Sequence, residues 1–234
     1  MGKAFVIPDV HLKPWMFDKA SEIIEKSNFD HIVMLGDLVD DWGQEQNLDL
    51  YRETLDRALE FVKQYPDTFY CLGNHDVSYL WQALESGYSV YARDIVVDGI
   101  NRIMYELPGG QTGFIHRIDN TLFSHAGLTE RFVLKHFHYS GMTDINSMIE
   151  KINRMGKNEL WHNDSPIWAR PQIDILRMYP PDMLQVVGHT PVEHMLFEDN
   201  VLTLDNFSTY SDGRPIGDES FASVDTVKMM GAYV

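Results

Sequence analysis

Over the first hundred residues, apolar and polar positions switch between two periods. Residues 4–7, 32–35 and 68–72 are short apolar runs that stop at Pro8-Asp9, Gly36-Asp37 and Gly73-Asn74. Runs this short, closed by turn residues, read as buried strands. Between them, Phe17, Ala20, Ile23 and Ile24 recur at helical spacing, and so do Tyr51, Leu55, Ala58, Leu59 and Val62. Each set marks one face of a helix. The alternation strand, helix, strand, helix, strand predicts an α/β arrangement with parallel strands and right-handed crossovers.

The organisation changes after about residue 100. Residues 114–118 and 121–124 flank Asp119-Asn120, and residues 195–197 and 201–204 flank Asp199-Asn200, so two hairpins are expected. Residues 184–187 and 220–227 read as further strands. Residues 128–165 read as mostly helical, with Met148, Ile149 and Ile152 on one face. Without linkers at either end, this stretch is expected to be an insertion within a single domain spanning residues 1–234.

Composition narrows the function classes. Hydrophobic residues make up 44% of the 234, enough for a large core and against disorder. Net charge is −16, which repels duplex nucleic acid and anionic membranes at long range. General duplex binding and membrane association are therefore not expected. With Cys71 alone, no internal disulfide can form, which suits a reducing, cytoplasmic setting. No apolar run approaches the roughly 18 residues a membrane span requires. Nothing in the chain bears on oligomeric state.

Candidate chemistry collects where the strands end. Asp9-Val10-His11, Asp37, Asn74-His75, Ser124-His125 and Gly188-His189 each close an apolar run. In open α/β sheets, ligand sites gather at the carboxyl ends of strands. Carboxylate, imidazole and amide oxygen without thiolate suit manganese first, with iron or zinc also compatible. A carboxylate such as Asp37 can bridge two ions. Two ions about 3.5–4 Å apart can clamp the attacking and leaving oxygens of a phosphoryl transfer. Gly36, Gly73 and Gly188 permit tight turns and close backbone approach.

These blocks resemble a family. Asp9-x-His11, Gly36-Asp37-x-x-Asp40, Gly73-Asn74-His75-Asp76, Ser124-His125-Ala126-Gly127 and Gly188-His189-Thr190 look like the five motifs of the calcineurin-like metallophosphoesterases, in the same order. Pro191 stands where many relatives carry a second histidine. The chain therefore looks nearest the lambda-type bacterial and phage serine/threonine phosphatases and the symmetrical diadenosine tetraphosphatases. The resemblance implies a four-layer αββα fold, a β-sandwich flanked by helices. It implies two divalent ions, the first held by Asp9, His11 and Asp37, the second by Asp37, Asn74, His125 and His189. It also implies in-line attack by a bridging hydroxide, with His75 protonating the leaving oxygen and Asp40 orienting His75. Ile167-Trp168-Ala169-Arg170-Pro171 resembles the segment that supplies a phosphate-gripping arginine, here Arg170.

The chain departs from that branch after Asp40. Asp41-Trp42-Gly43 stands where protein phosphatases usually have Arg-Gly. An acid in place of a bidentate phosphate ligand costs about 1.5–3 kcal/mol of phosphate binding if nothing compensates. The leading expectation is a phosphomonoesterase acting on phosphoserine or phosphothreonine. The alternative is hydrolysis of dinucleoside tetraphosphates or cyclic nucleotides, motivated by the missing arginine after Asp40 and by Trp42, which is placed to pack on a substrate. A non-catalytic scaffold of the same fold ranks last, because His75 and all six ligand positions are filled. His31, His116, His136, His138, His162 and His194 read as surface or hydrogen-bonded residues. Cys71 and the other four tryptophans read as mostly core.

Overall fold

The computed structural model describes residues 2–138, 141, 143–174 and 176–234. Its first half follows the predicted alternation: β1 (Lys3–Ile7), α1 (Trp15–Lys26), β2 (His31–Met34), α2 (Leu48–Gln64) and β3 (Thr68–Cys71). Two helices then follow, α3 (Asn74–Leu80) and α4 (Arg93–Glu106), neither of which the apolar spacing predicts. Within α4, Val96, Ile100 and Ile103 are buried, but Gly99 interrupts the apolar face. That glycine is there for closeness: an added Cβ would meet the Leu55 side chain at 2.7 Å.

The second half begins with β4 (Thr112–Gly113) and the hairpin β5 (Ile115–Ile118) and β6 (Thr121–Ser124). Helices α5 (Glu130–Phe137), α6 (Ile145–Ile152) and α7 (Lys157–Leu160) lie between β6 and β7 (Leu184–Val187). Met148, Ile149 and Ile152 are buried as the periodicity predicts. Of the expected helical stretch, residues 139, 140 and 142 lie outside the described residues. The hairpin β8 (Leu196–Glu198) and β9 (Val201–Thr203) follows, and then β10 (Ala222–Asp225) and β11 (Met230–Tyr233). Both predicted hairpins turn on an aspartate with positive φ, Asp119 at 51° and Asp199 at 52°. The expected last strand is shorter than residues 220–227 and pairs with β11, whose mostly exposed residues carry no apolar signal.

Two sheets result. The first runs β11-β10-β1-β2-β3-β4, with β1 to β4 parallel; the second runs β5-β6-β7-β9-β8, with β6, β7 and β9 parallel. Strand β1 is buried on both faces and splits its side chains by alternation. Ala4 and Val6 face Phe123, Val186 and Leu202 between the sheets, while Phe5 and Ile7 join Phe17, Leu55 and Leu59 under the helices. Cys71 belongs to the inter-sheet core. This is the mixed α/β sandwich expected, and β1, β2, β6 and β7 end on the same polar cluster. Among the described residues, no helix is long and apolar enough to cross a membrane.

Candidate metal centre

Five strand ends meet at one point. Asp9 and His11 follow β1, Asp37 follows β2, and Asn74 opens α3 just after β3. From the second sheet, His125 follows β6 and His189 follows β7. The backbone bends sharply to deliver them: φ is 43° at His11, 46° at Asp37, 68° at Asp40 and 63° at His189. Non-glycine residues held there cost about 1–3 kcal/mol each and tend to mark functional sites. The adjacent glycines make room. A Cβ on Gly188 would collide with Asp9 Oδ1, and one on Gly73 with Asp37 Oδ1.

Ligand atoms from both sheets converge. Asp9, His11 and Asp37 each offer a ligand atom within 4.8 Å of the others, and so do Asp37, His125 and His189. His125 Nδ1 donates to the Leu35 carbonyl at 2.9 Å. Its Nε2 then faces Asn74 Oδ1 at 2.9 Å, His189 Nδ1 at 3.1 Å and Asp37 Oδ2 at 3.1 Å. A single proton on Nε2 can satisfy one of those neighbours. Asp9 Oδ1 and His189 Nε2 are buried with no hydrogen-bond partner. Likewise His11 Nδ1 donates to the Asp40 carbonyl at 2.8 Å, which leaves its Nε2 lone pair 3.9 Å from Asp37 Oδ2. Buried unpaired acceptors are costly, and a cation relieves that cost. The residues present therefore fit a pair of divalent ions with Asp37 shared between them.

Electrostatics agree. Burial, reinforced by Asp205 and Asp37, pushes the Asp9 carboxyl well above the usual range. Burial also opposes charge on Asp37, yet His125, His75 and His11 hold it well below the usual range. Burial disfavours charge on His125 too, but Asp37 and Asp9 outweigh it and lift the imidazole to about 9. Burial, His125 and Arg170 push His189 well down, which keeps its ring neutral and its lone pair available.

Beside this cluster sits an ordered dyad. His75 Nδ1 donates to Asp40 Oδ2 at 2.9 Å. Asp40 Oδ1 accepts from Tyr51 Oη at 2.7 Å and from Tyr79 Oη, so its carboxylate is held from three sides. Burial disfavours the imidazolium of His75, but Asp37, Asp40 and Glu85 overcome it and raise its pKa to about 10. Asp76, the last residue of its motif, faces away from the site. Its carboxylate accepts from the backbone N–H of Gly73, Asp37 and Leu38 at 2.9–3.0 Å and ties two ligand-bearing loops together.

The cluster floors a cleft of about 410 Å³. Arg170 reaches it, with Nη1 donating to the His189 carbonyl at 2.9 Å. Trp42 stands on the wall, about half exposed, its indole N–H donating to the Thr209 carbonyl at 3.1 Å. Trp168 also lines the cleft, its ring edge-on to His189, although its sequence suggested simple packing. Asp41 has partners of its own. Its carboxylate lies 3.6 Å from the buried Lys13 Nζ and accepts from Thr209 Oγ1 at 2.6 Å. Nor does the sequence pattern mark Glu85, whose side chain is 7% exposed; burial raises its pKa to about 7. His116 and His194 are hydrogen-bonded as expected, to the Tyr70 carbonyl and to Asp218.

A family model described as calcineurin-like phosphoesterase matches residues 2–215. Among solved structures, a serine/threonine phosphatase from Saccharomyces cerevisiae with similarity to human phosphatase PP5 is 16% identical. Its TM-score is 0.54, covering 95% of this chain and 72% of the other. A metallophosphoesterase from Sphaerobacter thermophilus is 14% identical with a TM-score of 0.45, covering 99% and 86%. A novel archaeal phosphodiesterase is 14% identical with a TM-score of 0.42, covering 99% and 98%. No curated protein matches the chain.

Proposed function

The chain belongs to the calcineurin-like phosphoesterase family, and from that premise we propose that it hydrolyses phosphomonoesters, serine- or threonine-phosphate among them, at a dinuclear metal centre. The observation that carries this reading is the convergence of Asp37 Oδ2, Asn74 Oδ1 and His189 Nδ1 on His125 Nε2, all within 3.1 Å of it. We assign Asp9, His11 and Asp37 to one ion and Asp37, Asn74, His125 and His189 to the other. Hard oxygen and imidazole donors suit manganese, and iron or zinc would also be held. When bound, the ions supply Lewis-acid polarisation of the phosphoryl oxygens and a nucleophile at neutral pH.

The protein's own groups do the rest. With Nδ1 tied to Asp40, His75 has only Nε2 free to deliver a proton, and the leaving oxygen is the group to receive it. Asp40 fixes the ring and favours its charged form. Arg170 spends Nη1 on the His189 carbonyl, which aims the remaining guanidinium donors at a non-bridging oxygen. The chain is read as one domain, with residues 128–165 as an insertion beside the cleft.

One observation favours a second substrate class. Trp42 is 52% exposed on the cleft wall and pinned through its indole N–H. A fixed aromatic face beside a cleft with one phosphate-facing arginine suits a dinucleoside polyphosphate or cyclic nucleotide. The test is a panel run on the manganese-loaded chain: p-nitrophenyl phosphate, a phosphopeptide, diadenosine tetraphosphate and a cyclic nucleotide. Monoester turnover is expected, and His75→Asn should lower it about 10²–10⁴-fold. The loss should be greater for the phosphoserine peptide, whose alkoxide leaves poorly, than for p-nitrophenyl phosphate. Full activity of His75→Asn on the peptide would overturn the mechanism.

A further inference from the structure

Asn74 poses a problem that the other candidate ligands do not. An asparagine amide has nearly the same shape at both ends, but one end accepts and the other donates. Only Oδ1 can face a cation. Turned over, the side chain would aim two N–H groups at the second ion, and sterics alone would not prevent it. Something beyond packing must choose the orientation.

Glu85 lies on the loop between α3 and α4, its side chain buried at the cleft's edge. Its Oε2 accepts from Asn74 Nδ2 at 2.9 Å. At the other end of the same amide, Oδ1 lies 2.9 Å from His125 Nε2. The second carboxylate oxygen, Oε1, sits 3.6 Å from His75 Nδ1 and has no hydrogen-bond partner. Asn74 and His75 are consecutive, so one buried carboxylate contacts a candidate ligand and the candidate acid together. Ionised, Glu85 has no donor to offer, so it can hold only the NH₂ end of the amide.

We propose that Glu85 is a positioning residue that locks the Asn74 amide with Oδ1 toward the second ion. This rests on the reading of Asn74 as a ligand. Groups that hold metal ligands in place commonly contribute as much to affinity as a weak ligand does.

The test is manganese binding, measured by titration calorimetry and by metal content after dialysis, with no turnover needed. Glu85→Leu removes the acceptor and should weaken the weaker-bound ion about 10–100-fold. Glu85→Gln keeps an acceptor oxygen for Asn74 Nδ2 and should recover most of that loss. If Leu prevents folding, Glu85→Ala removes the same acceptor. In an Asn74→Asp background there is no amide to orient, and Glu85 only adds like charge. There Glu85→Leu and Glu85→Gln should change manganese binding by the same amount, since each removes one nearby negative charge, whereas a purely structural role would leave Glu85→Leu the weaker of the two. If Glu85→Leu, or its Ala replacement, binds two ions as tightly as the wild type, the assignment fails and the metal centre stands. If Glu85→Gln weakens binding as much as Glu85→Leu, amide orientation is not what Glu85 provides. A wild-type chain that binds no manganese overturns the centre itself and this role with it.

Discussion

Asp41→Arg has the form of a repair, since it installs the arginine usual at that position, but the structure predicts damage. Lys13 and Asp41 side chains are 9% and 21% exposed, with Nζ 3.6 Å from Oδ2. At an effective dielectric of about 20, a pair at that distance attracts by roughly 4–5 kcal/mol before desolvation is counted. Removing one partner of a buried pair costs about 3–5 kcal/mol, because the survivor is left charged and unmatched. Arginine also brings a like charge against Lys13, and the Thr209 hydroxyl loses its acceptor. Taking about 3 kcal/mol as the floor, a chain of this size should melt roughly 6–12 °C lower. The assay is a pair of thermal melts, with EDTA and with manganese, beside the monoester kcat/KM. A companion variant, Lys13→Met with Asp41→Arg, removes the stranded ammonium and should regain most of the loss. Only in that double variant could the new guanidinium improve monoester binding. Melting of Asp41→Arg within a degree or two of wild type would refute the claim that Asp41 is tied down by Lys13.

Two further outcomes follow from the site and the core. Manganese at a hundred times its Kd should stabilise the chain by about 2.7 kcal/mol per ion, raising the melting temperature by roughly 5–11 °C, and EDTA should reverse it; an unchanged melt would count against the centre. His116 is buried, and desolvation holds its pKa near 4, although the Tyr70 carbonyl favours its proton. An unfolded histidine titrates near 6.5, so between those values the unfolded chain binds the extra proton and stability falls as pH falls. Urea melts of wild type against His116→Gln should show about 2–3 kcal/mol more loss in wild type between pH 6.5 and 4.5, and parallel curves would contradict that.

Much of the site was legible because ligand chemistry and strand ends share a grammar. An apolar run that stops at Asp, Asn or His is visible in one dimension, and five of them coincide in three. The two hairpin turns were equally plain, since Asp119 and Asp199 tolerate the left-handed backbone their positions require. What escaped notice lacks such a signal. Glu85 follows Ala83-Leu84 in a loop with no period, and its role depends on the fold bringing Asn74 to it. Lys13 reads as an ordinary surface lysine until Asp41 is placed beside it. Helix α4 hides because Gly99, needed for close contact with Leu55, breaks the stripe that would announce it.

The placement of the six candidate ligands on two sheets has a consequence for how the protein comes to exist. Asp9, His11 and Asp37 all lie within the first 37 residues, just past the ends of neighbouring strands of the first sheet. The other set is closed only by His189, from the second sheet. During synthesis, the first group can be complete while most of the chain has yet to emerge. The second cannot form until the two sheets have docked face to face. A metal ion held there would join segments of the chain made far apart in time, so its capture would report that the sandwich has closed.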